Sequence, residues 1–100
     1  MKAIEIDATE ARERLKELGE GWAISEDGKS LQRDFKFRNF NEAFGFMARS
    51  ALSAEKLNHH PDWFNCWNRV NVKLTTHDKG GLTDLDFRLA KAMNRASAGL

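Results

Sequence analysis

NHHPDWFNCWNRVNVKLTTH, residues 58–77, is the stretch on which the fold turns. From Phe64 to His77 its residues alternate in character. Val70, Val72 and Leu74 fall on one face, while Arg69, Asn71, Lys73, Thr75 and His77 fall on the other. A period of two belongs to a strand with one buried and one wet side. The alternation therefore predicts one long strand, ended by the turn signal HDKGGL at 77–82. Ahead of it, Pro61 disfavours helical geometry at His60, so the preceding helix should stop near Asn58.

Working outward, NEAFGFMARSALSAEKLN (41–58) reads as the main helix, capped by Asn39 or Asn41. Phe40, Phe44, Met47, Ala51 and Ala54 trace its expected buried side. Before it, GWAISEDGKSLQRDFKFRNF (21–40) carries Asp27-Gly28, a hairpin signal between a short strand and a longer one. Phe35 and Phe37 share a face there, opposite Asp34, Lys36 and Arg38. IDATEARERLKELGEG (6–21) is a helix with Asp7 as cap, Glu10 at capping-box spacing and Gly19 at the left-handed stop. Ala8, Ala11, Leu15 and Leu18 form its apolar stripe. The last helix, in TDLDFRLAKAMNRASAGL (83–100), opens on Thr83 and Asp86 at capping-box spacing. Its stripe is Leu85, Leu89, Ala92, Met93 and Ala96. Helix, strand, strand, helix, strand, helix is the pattern of an α+β domain whose helices cover one face of a sheet. Open sheet edges and small size favour association with further copies.

Composition narrows the function. One hundred residues make a single domain, 1–100, and 41% apolar residues with seven Phe and three Trp are enough for a packed core. Sixteen basic residues against fifteen acidic ones are interspersed, without the basic stripe that nucleic-acid binding uses. No run approaches the ~20 apolar residues of a membrane span, and MKAIEIDATE has no signal-peptide core. A cytoplasmic address follows as the expectation. The single cysteine, Cys66, excludes an intrachain disulfide, suits a reducing compartment and is expected to pack as a small buried hydrophobe.

All three histidines, His59, His60 and His77, fall at the boundaries of two neighbouring elements. Zinc binding fits them poorly: adjacent histidines point apart on helix or strand, His-x-x-x-His is absent, and Cys66 has no second thiolate. A structural role is open, since imidazole is favourable at a helix C-terminus. So is general acid–base chemistry, because imidazole donates or accepts a proton near neutral pH. Trp63 and Trp67 could then give a pocket a flat apolar wall, and the backbone at Thr75 and Thr76 could bond a polar ligand edge. Spacing alone leaves these two readings in contention.

Glu55, His59-His60-Pro61, Trp67, His77 and Asp86, at these distances, resemble the signature of pterin-4a-carbinolamine dehydratases. The likeness runs from the first helix to the C-terminus, with the specific motif at 55–86. It implies an α+β fold with a four-stranded antiparallel sheet and three helices on one face. The fourth strand would come from the segment around Ile4 and Ile6 or from a break in the hairpin assignment. It implies dehydration of a 4a-hydroxytetrahydropterin to the quinonoid dihydropterin, in recycling for aromatic amino-acid hydroxylases, with no metal or cofactor. Homodimers or homotetramers are implied as well.

Carried over by residue, the likeness makes His59, His60 and His77 the acid–base and substrate-contacting set. His60 and His77 are favoured for proton transfer, and His59 for positioning. Asp86 would orient a histidine, and Glu55, one turn before His59, would hydrogen-bond that imidazole. Asn58, Trp63, Thr75, Thr76 and Asp78 complete the expected substrate contacts. Asn58 stands where an aspartate is common in the family, and Lys79 where a cysteine is common. Two other roles belong to the family's range: a dimerisation cofactor for a homeodomain transcription factor, and a pterin-binding relative in molybdopterin metabolism.

Overall fold

A computed structural model describes residues 2–100. Three helices begin where the sequence marks them. Asp7 caps α1 (Ala8–Leu18), Asn39 caps α2 (Phe40–Leu57), and Thr83 with Asp86 closes a full capping box on α3 (Asp84–Ser97). Glu10 does not complete a box with Asp7; it turns to Arg14 at 2.9 Å. Along α1, Ala11 and Leu18 are buried, Leu15 is half-buried and Ala8 is exposed.

Four strands form one antiparallel sheet: β1 (Ala23–Ile24), β2 (Leu31–Lys36), β3 (Asp62–Cys66) and β4 (Arg69–Leu74), in the order β1-β2-β4-β3. The architecture is thus a single α+β unit with three helices and a four-stranded antiparallel sheet. The expected long strand over 64–77 is two strands. A two-residue turn at Trp67-Asn68 folds β3 back on β4, with Cys66 opposite Arg69. Trp67 takes a positive φ of 50° without being glycine. Side-chain amides hold the turn instead. Asn65 donates to the carbonyls of Trp67 and Arg69, and buried Asn68 donates to the carbonyl of Phe37 at 2.8 Å. The segment around Ile4 and Ile6 joins no sheet; it runs beside the start of α3, where the Ile4 amide donates to Asp84 at 2.7 Å.

The core lies between the helices and one side of the sheet. Val70, Val72 and Leu74 of β4 and Leu31 and Phe35 of β2 face it, with Leu89 and Met93 of α3 packed into the same cluster. Phe46 of α2 is fully buried, with its ring centroid 4.5 Å from Phe35 and 5.1 Å from Phe37. Burying one such ring contributes about 2–3 kcal/mol. This contact reassigns the buried face of α2. Ala43, Phe46, Ser50 and Ala54 point inward, whereas Phe40 and Phe44 stack on each other outside and Ala51 is exposed. The helix carries apolar residues on two faces, and Phe35 of β2 with Phe37 just beyond it selects one of them. Cys66 is exposed rather than buried, because β3 is an edge strand and its side chain shares a sheet position with Arg69 on the uncovered face. No helix among the described residues is long and apolar enough to cross a membrane.

Candidate active site

The end of α2 is a backbone device. Asn58 adopts the left-handed conformation, φ 51° and ψ 44°, and its amide returns to the carbonyls of Ala54 and Glu55. The His59 amide donates to Ala54 at 3.0 Å, completing the reversal. Asparagine tolerates this conformation better than most residues, which gives Asn58 a local role that needs no charge. After the reversal His59 turns into the protein and His60 out of it, and Pro61 leads into β3.

His59 is 9% exposed, and its Nε2 lies 2.6 Å from Oδ1 of the fully buried Asp86. Oδ2 of Asp86 accepts from the Thr76 hydroxyl and the Thr83 amide, each at 2.9 Å. The Thr76 and Thr83 hydroxyls are 2.8 Å apart. An ionised carboxylate only accepts, so these contacts fix the protons. Nε2 of His59 donates to Asp86, Thr76 donates to Asp86, and Thr83 donates to Thr76. In neutral His59 the remaining nitrogen, Nδ1, is therefore the acceptor.

The other two histidines are solvent-exposed, and each has its own carboxylate. Nε2 of His60 lies 2.9 Å from Glu55, with side chains 57% and 79% exposed. Nε2 of His77 lies 3.3 Å from Asp62. Glu55 thus serves His60, not His59 as its helical spacing suggested, because the left-handed Asn58 swings His59 away from the helix surface. Among the described residues no group of His, Cys, Asp and Glu comes together in a way that could hold a metal ion.

The three histidines line one cleft of about 440 Å³, together with Asn58, Thr75, Thr76 and Asp78. That volume suits a small planar ligand. Asp86 stands behind His59, and Glu55 stands outside beside His60. Trp63 does not form a wall of the cleft; it sits opposite Val72 and packs on the core. Trp67 is at the far, turn end of β3 and 63% exposed. The backbone of Thr76 is engaged with Gly81 and Lys79 in the turn that follows, so it is its hydroxyl, through Asp86, that serves the site. Asp62, which also lines the cleft, was not singled out in the sequence. The Trp67-Asn68 turn is the signal that would have found it, since pairing β3 with β4 sets Asp62 opposite Lys73, two residues before Thr75.

The family model for pterin 4 alpha carbinolamine dehydratase matches residues 4–96. A Rhizobium johnstonii protein, provisionally named as such a dehydratase, is 57% identical over 98% of this chain and 96% of its own length. A similarly named Sinorhizobium fredii protein is 54% identical over 99% of this chain and 93% of its own. Among solved structures, a transcriptional coactivator/pterin dehydratase from Brucella melitensis superposes with a TM-score of 0.89 at 46% identity, covering 94% of this chain and 99% of that one. A pterin dehydratase-like RuBisCO assembly factor of the alpha-carboxysome superposes with a TM-score of 0.68 over 83% of this chain and 96% of its own. At 17% identity that second likeness concerns the fold alone.

Proposed function

The chain belongs to the pterin-4-alpha-carbinolamine dehydratase family, and we propose that its histidine cleft dehydrates a 4a-hydroxytetrahydropterin to the quinonoid dihydropterin. One observation carries this: all the histidines of the chain line a single cleft, each beside its own carboxylate. The reaction breaks the carbon 4a–oxygen bond. An imidazolium gives the departing hydroxide a proton, and a second group takes one from a ring nitrogen, so that one water leaves. No electrons are transferred.

His60 and His77 are the proton-transfer pair. Both are solvent-exposed at the cleft, and each has a carboxylate near its Nε2, Glu55 for His60 and Asp62 for His77. His59, held from behind by Asp86, positions the substrate and offers Nδ1 to it. Asn58, Thr75 and Asp78 line the rest of the ring's surroundings. The physiological setting is pterin recycling for aromatic amino-acid hydroxylases, in the cytoplasm, by a homodimer or homotetramer. The uncovered edge of β3 and the exposed Phe40 and Phe44 give copies surfaces on which to meet.

Dehydration of synthetic 4a-carbinolamine, measured against the spontaneous reaction, tests this. Wild type should accelerate it, with a rate that falls on both sides of a pH optimum. His60→Ala and His77→Ala should each lose about a hundredfold or more. No acceleration by wild type would end the enzyme reading, and full activity in both variants would end the residue assignment.

A protein-binding role is the second reading. The exposed apolar stripe of α2, with Phe40, Phe44 and Leu52 at 47%, 56% and 74%, favours it, and the Brucella melitensis neighbour is described as a coactivator as well as a dehydratase. Phe44→Asp would abolish that role and leave the histidine cleft unaltered; loss of dehydration in this variant while it remains folded would count against two separate functions.

A further inference from the structure

Beyond His77 lies a second cleft of about 270 Å³, which shares Thr75 and His77 with the first. Asp27, Lys29, Ser30, Lys73 and Gly80 complete its wall. The fold explains the meeting. Lys29 directly follows the Asp27-Gly28 turn, and the Thr75 hydroxyl donates to the Lys29 carbonyl at 2.6 Å, tying that turn to the end of β4. Lys73 of β4 lies opposite Asp62, on the face of the sheet that the helices leave open. Lys79 lies across His77, in the first cleft.

Three ammonium groups therefore flank His77, and among the described residues none of them has a carboxylate within ion-pair reach. Two of the nearby acids already hold other partners, and one of them, Asp27, lines the second cleft itself. Asp62 faces His77 at 3.3 Å. Asp27 accepts the Ser25 hydroxyl at 2.6 Å and the Lys29 amide at 3.0 Å. Those two hydrogen bonds, ahead of the Lys29 and Lys73 charges, hold its carboxyl below the usual range. Asp78, in the first cleft, is the remaining acid. With Lys29 and Lys73 set against the single carboxylate of Asp27, the lining of the second cleft keeps a net positive charge.

A pterin ring among the histidines has one long substituent, at carbon 6, which must leave the ring's cleft. Where His77 is the shared wall, that chain has a path to Lys29 and Lys73. We propose, on the dehydratase reading, that the second cleft is a subsite for an anionic group, phosphate or carboxylate, carried by the carbon 6 substituent and held by Lys29 and Lys73. A neutral hydroxylated chain would leave the excess positive charge of the two ammonium groups over Asp27 unanswered.

Fluorescence titration with three 7,8-dihydropterins tests this: one with a dihydroxypropyl chain at carbon 6, one with that chain as its phosphate monoester, and one with a p-aminobenzoyl-glutamate chain. At least one anionic ligand should bind about tenfold tighter than the neutral one, the sum of two partly exposed charge pairs. The gain should vanish at high salt and in the Lys29→Gln/Lys73→Gln double variant. Preference for the phosphate or for the glutamate identifies which anion the subsite takes. Equal affinity for all three, or a preference that survives in the double variant, overturns the subsite. Dehydration of the neutral carbinolamine without any anionic gain overturns the subsite alone, whereas no binding and no dehydration of any pterin overturns the dehydratase reading and the subsite with it.

Discussion

His59 and His60 are neighbours in the chain and opposites in the structure. Each has a carboxylate at hydrogen-bonding distance, 2.6 Å for His59 and 2.9 Å for His60. The surroundings differ. Asp86 is fully buried and takes three donors, so His59 is held in one orientation and one tautomer. Glu55 is 79% exposed, and water competes for both members of its pair. A buried, fully satisfied network rigidifies, whereas an exposed ion pair is worth a fraction of a kcal/mol. The same two functional groups thus make a fixed, buried pair in one place and an exposed, adaptable pair in the other. Burial, not residue type, separates the two pairs.

Asp86→Ala should have the largest effect on stability. It leaves His59, the Thr76 hydroxyl and the Thr83 amide without an acceptor and removes half of the α3 capping box. A loss of about 3 kcal/mol is expected in urea unfolding. A loss below about 1 kcal/mol would mean that the network does not fix His59. Asn58→Ala comes next, because alanine in the left-handed conformation costs about 1 kcal/mol, while Asn58→Gly should cost nothing. If Asn58→Gly instead abolished pterin binding with stability unchanged, the asparagine side chain would be a ligand contact and not only a turn residue. Glu55→Gln should do least, under about 0.5 kcal/mol in stability and about threefold in rate. A change in stability as large as that of Asp86→Ala would erase the distinction between wall and rim.

Local signals in this chain were legible because they act over three or four residues. Asp7, Asn39 and Thr83 cap the helices they were expected to cap, Pro61 follows the end of α2, and the Asp27-Gly28 turn joins β1 to β2. The alternation of Val70, Val72 and Leu74 gave the buried face of β4. The motif residues from Glu55 to Asp86 were visible as a spacing, but a spacing does not say which carboxylate meets which imidazole.

Only the tertiary structure decided the rest, for a common reason. A period reports that a face exists, not what covers it. So the face of α2 that carries Phe46 was chosen by Phe35 of β2 and by Phe37 just after it, and Phe40 and Phe44 were left outside. The turn at Trp67-Asn68 escaped notice because side-chain amides, one of them bonded to Phe37 across 31 positions, stand in for the expected glycine. The contact between His59 and Asp86 spans 27 residues, and it forms because a left-handed Asn58 and a capped α3 bring the two ends together in space. Sequence by itself determined the three helices, the Asp27-Gly28 hairpin and the set of chemical groups; the β3–β4 hairpin, the pairing of those groups, and with it each histidine's burial, were determined by packing.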